Sequence, residues 1–101
     1  MATVWAKEMA SLMRRVTGEA HPDIAARIVL RDAIEYRLEK IENDLRRFES
    51  KYGMTFEEYK HRWDTEDHPD DYAFESEMDF LEWEAQVTRK THLENMRVWL
   101  P

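Results

Sequence analysis

His61 and His68 flank Asp64, Glu66 and Asp67, and imidazoles beside carboxylates are a donor set that can hold a divalent cation. Their spacing matches neither an H-x-x-x-H pair nor an EF-hand loop with its required glycine, so no particular metal is indicated. His21 and His92 read as surface or cap residues. Residues 64–84 hold ten Asp or Glu and no Lys or Arg, and paired carboxylates can do acid–base chemistry. In a stretch this acidic, however, neighbouring carboxylates follow from composition alone, and no pocket-forming loop accompanies them. The absence of cysteine removes a thiol nucleophile, a thiolate metal site and a disulfide framework. No catalytic residue, cofactor or metal is assigned, and the chain does not read as an enzyme.

Arg14, Arg15, Arg27 and Arg31 alternate with acids in a chain without a legible recognition helix or ribbon, so ordinary surface pairing is the better reading and nucleic acid is not directly indicated. The acidic block offers a different chemistry. Phe74, Phe80 and Trp83 are interleaved with Glu75, Glu77, Asp79, Glu82 and Glu84, and apolar anchors inside a charged rim are how interface hot spots are built. Such a block repels phosphates and attracts a basic protein surface in a salt-dependent way. The plain alternative is a solvated helix face. The charge is local: residues 1–63 hold twelve Lys or Arg against eleven acids, whereas the whole chain carries a net charge of -7.

These residues must be positioned by helices. The 101 residues allow one domain with one modest core, and only two glycines and three prolines interrupt regular structure. Trp5, Met9, Leu12, Met13 and Val16 are spaced as one helix face that stops at Gly18. Pro22 and Asp23 then suit the first turn of a long helix over about 22–52. Its face through Ile34, Leu38, Ile41, Leu45, Phe48 and Tyr52 keeps alternating steps of four and three, a heptad seam. Ile24, Ile28, Leu30 and Ala33 depart from that register and predict a rotated face that meets another neighbour, either the N-terminal helix or a second subunit. At 1.5 Å per residue the helix spans roughly 45 Å, which predicts an elongated shape or a dimer.

Gly53 suits a left-handed cap, Thr55 and Glu58 form a T-x-x-E capping box, and Met54 with Tyr59 fits a hydrophobic staple. A short helix over about 56–64 then carries Phe56, Tyr59 and Trp63 on one face, an aromatic lid for the long helix. After the loop around residues 64–71, a final helix opening at Pro69 is expected over about 70–99. It carries Phe74, Met78, Leu81 and Ala85 on one stripe and Phe80, Trp83 and Val87 on the adjoining one. The expectation is an all-α, elongated helical bundle. The seam serves either an antiparallel hairpin within one chain or a symmetric pairing of two. Trp5 and Trp99 near the termini point to an additional interface, and a homodimer is expected. Residues 1–16 lack a signal-peptide run and no segment is a membrane span, so the expected location is the cytoplasm.

The segments LEKIENDLRRFESKYGMTFEEYKHRW and YAFESEMDFLEWEAQVTRKTHLENM resemble a group of short prokaryotic helical proteins with a pattern FExKYGMxFEEF, an acidic gap, and DxxEWEALxxR. The likeness spans about residues 36–93 and is most specific at 48–59 and 79–85; Tyr59 stands for the usual phenylalanine and Gln86 for leucine. Members are often encoded beside a small toxin-like protein and treated as the antitoxin half of a pair. The resemblance therefore implies a role in neutralising such a partner. A nuclease-type toxin must be basic enough to hold phosphates, so an acidic helical surface can occlude its site. Asp79, Glu82, Trp83 and Glu84 are the expected partner-binding residues. The alternative is a structural module that self-associates through the Ile34 to Tyr52 seam, its acidity serving solubility.

Overall fold

The computed structural model describes residues 2–100, with side chains described from residue 6 onward. Four helices, α1 (Ala2–Thr17), α2 (Pro22–Tyr52), α3 (Phe56–Thr65) and α4 (Phe74–Trp99), are joined by short turns, with a 3-10 turn at Pro69–Tyr72. No strand occurs among the described residues. The elements start and stop where local chemistry demands. α1 closes on Gly18, whose φ of 71° lets its N–H reach the Arg14 carbonyl at 2.8 Å. α2 opens with proline in its first turn and closes on Gly53, at φ 67°, whose N–H donates to the Glu49 carbonyl at 2.7 Å. The capping box then starts α3: the Glu58 N–H donates to Thr55 Oγ1 at 3.2 Å and the Thr55 N–H to Glu58 Oε1 at 3.4 Å. Met54 and Tyr59 both pack on the core side, as a staple requires.

The final helix starts later than its pattern suggests. Residues 69–72 form a 3-10 turn and Ala73 is extended, at φ -70° and ψ 139°, so helix geometry resumes only at Phe74. Side-chain bonds impose the break. His68 Nδ1 accepts the Asp70 N–H at 3.3 Å, and the Asp71 carboxylate, buried, is drawn to Arg62 Nη2 at 2.8 Å.

α2 and α4 form an antiparallel hairpin, and the ion pairs between them record its register. Lys51 meets Glu75 and Asp79, Arg47 meets Glu82, Glu42 meets Lys90 and Glu35 meets Arg97. Each helix is basic where the other is acidic, and this pattern opposes a parallel arrangement. Ile34, Leu38, Ile41, Leu45 and Phe48 are buried in one cluster with Trp83 and Leu93, while Tyr52, Phe80 and Val87 pack partly buried against it. The heptad seam is therefore used inside one chain. Phe56 and Tyr59 of α3 are buried over the same cluster and Trp63 is half-buried, so α3 is the aromatic lid its spacing predicts.

α1 packs against α2. Ala25 has no exposed surface and lies outside the main cluster, whereas Ile24, Leu30 and Ala33 stay exposed, so the rotated face of α2 is only partly covered. The Trp5 expectation falls outside the described side chains. The molecule measures 58 × 27 × 19 Å with a radius of gyration of 19.6 Å, against about 13 Å for a compact domain of this size. The long helix sets that elongation. No helix among the described residues is long and apolar enough to cross a membrane.

Leu38 is 5% exposed and Leu81 is 59% exposed, and one substitution separates their roles. Leu38→Ala should lower unfolding stability by about 2–5 kcal/mol in urea titrations, and Leu81→Ala by less than about 0.5 kcal/mol. Equal costs would mean that α4 packs its Leu81 stripe, not its Trp83 stripe, against α2.

Candidate functional site

The two segments that carry the resemblance meet in space. Trp83, fully buried, stacks on Phe48 at a ring separation of 5.4 Å, on Tyr59 at 5.2 Å and on Tyr52 at 5.7 Å, with Phe56 tilted against it at 5.4 Å. Phe80 stacks on Trp63 at 4.7 Å beside them. The end of α2, the start of α3 and the middle of α4 thus form one aromatic core. Trp83 Nε1 has no protein hydrogen-bond partner, so ring packing rather than a polar tether holds the indole. The expectation that Trp83 is a partner-facing anchor is corrected: an indole with no exposed surface has none to offer, because α4 turns its Phe80–Trp83–Val87 stripe inward.

Asp79 is also engaged within the chain. Its carboxylate accepts from the Tyr52 hydroxyl at 2.5 Å and from Lys51 Nζ at 2.6 Å, and its side chain is 16% exposed. Burial pushes the Asp79 carboxyl up, but the hydrogen bonds from Lys51 and Tyr52 outweigh it and hold the group below its ordinary value. Burial and the charge of the same carboxylate push the Tyr52 hydroxyl up, and the bonds to Asp79 and Glu75 push Lys51 up. Asp79 pins the end of α2 to the start of α4.

Glu82 and Glu84 face solvent, with side chains 54% and 43% exposed, and their ion-pair partners among the described residues are distant, Arg47 at 3.9 Å and Lys60 at 3.8 Å. They sit on either side of a stripe that does not enter the core. Phe74 is 77% exposed, Met78 49% and Leu81 59%, and Ala85 is exposed one turn further on. This face was legible as a helical stripe, but its spacing alone left open which stripe α2 would cover. Beside it, a groove of about 760 Å³ is lined by Leu81, Ala85 and Thr88 of α4 and by Phe56 and Lys60 of α3.

The structure also pairs residues that the sequence left apart. Arg62 lies over the Tyr59 ring, 4.9 Å from its centre, and bonds Asp71, so the 3-10 turn is clamped to α3 across a gap of nine residues. Only the i,i+9 separation of an acid and a base hints at this, which is no signal in so charged a chain. His61 lies exposed on α3 and His68 turns back to its own loop. Among the described residues no three His, Asp or Glu side chains gather as a metal site. No protein-family model, curated protein or solved structure matches the chain.

Asp79 contributes a pH dependence to this region. Its carboxyl titrates lower in the fold than in the unfolded chain, so its contribution is present in full above the ordinary value of 3.8 and is lost as pH falls through the folded value. Asp79→Asn should lower stability at pH 7 and flatten the loss between pH 4 and pH 2 in urea titrations. An acid limb as steep as that of the parent chain would assign the acid sensitivity elsewhere.

Proposed function

We propose that this chain is an antitoxin-like protein–protein interaction module that holds a basic, toxin-like partner through its acidic C-terminal half. One observation carries the reading: a folded helix keeps Phe74, Met78, Leu81 and Ala85 exposed within a stretch that has ten acids and no Lys or Arg. Contiguous exposed apolar residues mark interaction surfaces, and apolar anchors within a charged rim suit a partner interface. The resemblance of residues 36–93 to antitoxin-like proteins supports the partner class. A partner that handles nucleic acid must be basic to hold phosphates, and an acidic face competes for the same surface. Asp79 and Trp83 hold α4 in place, while Glu82, Glu84 and the apolar stripe face the partner.

Co-expression with the protein encoded beside this chain should give a complex that survives purification at low ionic strength and dissociates as salt rises, since exposed charges are screened. Two separate proteins at low salt would end the antitoxin reading.

Self-association is the second reading, at a different place from the one the heptad seam suggested. That seam is covered by α4, but Leu30, Ile34, Met96, Trp99 and Leu100 line an apolar groove of about 240 Å³ at the opposite end of the hairpin. Trp99 there is 85% exposed and Val98 83%. Residues 85–101 hold three Lys or Arg against one acid, so two copies meeting at this end escape the repulsion that the acidic half would cause. A homodimer formed in this way should be measurable by light scattering and become monomeric on Trp99→Glu. A parent chain that stays monomeric at high micromolar concentration would exclude it.

A further inference from the structure

The exposed stripe of α4 is one half of a heptad pairing, and the residues beside it specify the other half. Phe74, Met78, Leu81 and Ala85 are separated by steps of four, three and four, which are the a and d positions of a coiled coil. The flanking e and g positions over the same two heptads are Glu75, Glu82, Glu77 and Glu84, and all four are glutamate. In a two-helix pairing these positions choose the partner. We propose that α4 docks one amphipathic helix of a partner protein, with apolar residues at heptad spacing and Lys or Arg at the positions facing Glu75, Glu77, Glu82 and Glu84. This inference rests on the interaction-module reading above and adds to it the form of the partner.

Three observations favour this occupant. A second copy of the chain is opposed, because two such faces would place four glutamates against four. The glutamates have weak claims within the chain: Glu82 and Glu84 lie 3.9 and 3.8 Å from Arg47 and Lys60, and Glu77 has no ion pair among the described residues. Glu75 does bond Lys51 at 2.5 Å, but it is 76% exposed and has acceptor capacity left for an incoming cation. Finally, the face is already ordered. α4 is held by the Trp83 core and the Asp79 link, so only the incoming helix loses conformational freedom on docking. Past Ala85 the next e position is Arg89 and the next a position is His92, which confines the basic stretch of the partner to the first half of α4.

The test uses the full chain and three labelled synthetic peptides of equal length. One has Leu at a and d with Lys at e and g; the second has the same composition with the heptad order scrambled; the third has Glu at e and g. Fluorescence anisotropy at low salt should show the first binding at least tenfold tighter than the second, with no binding of the third. Leu81→Gln and Glu77→Lys should each weaken the first peptide several-fold while circular dichroism and urea unfolding stay those of the parent. Equal binding of the ordered and scrambled peptides would reduce the face to diffuse charge attraction and overturn the proposal, as would no binding of either. The complex with the neighbouring gene product separates the two levels. A complex that forms and is unaffected by Leu81→Gln and Glu77→Lys keeps the antitoxin reading and removes this one. Peptide binding without any such complex does the reverse.

Discussion

The burial of Trp83 is the constraint on which the rest of the molecule depends. Its indole is the largest side chain in the core, and it is enclosed only if the end of α2, the turn at Gly53 and the first turns of α3 are in place together. One residue on α4 thereby unites three separate stretches of chain. Because the ring has no polar tether, its position depends on the shape of the cavity, and the cavity depends on the left-handed cap at Gly53 that folds α3 back. The segments that carry the resemblance are the two halves of this arrangement, so their pattern is accounted for largely by packing.

Charge has two roles in this chain, separated by depth. Near the hairpin seam, Lys51, Asp79 and Tyr52 form a partly buried cluster that fixes how α4 sits on α2. Further out, Glu35 with Arg97 and Glu42 with Lys90 continue the same antiparallel pattern with the signs exchanged. Exposed pairs contribute little individually. Their alternation matters more through the arrangements it disfavours, because a parallel hairpin would set acid against acid and base against base. Beyond this layer, Glu77, Glu82 and Glu84 border the exposed apolar stripe of α4.

The elongated shape follows from the same division. The long α2 separates an acidic end, where α4 carries an exposed heptad face, from a weakly charged end with an apolar groove. Opposite ends of the hairpin thus differ in charge and in exposed apolar surface.

Much of this was determined by the sequence alone, because it is encoded locally. The stops at Gly18 and Gly53, the Thr55–Glu58 box, the heptad run from Ile34 to Phe48 and the aromatic face of α3 each depend on residues within a few positions of one another. The acidic block was equally plain. What only the tertiary structure decided is which way α4 faces. It carries two adjoining apolar stripes, and periodicity gives both the same standing; the choice falls to shape, since the cavity under α3 fits an indole, and this turns Trp83 in and leaves Leu81 out. The late start of α4 has the same origin, because the pull of Arg62 on Asp71 acts across a gap that no local pattern records. Local sequence sets helices and their boundaries through short-range sterics and hydrogen bonds. Which face becomes core and which stays exposed is settled by packing between residues distant in the chain.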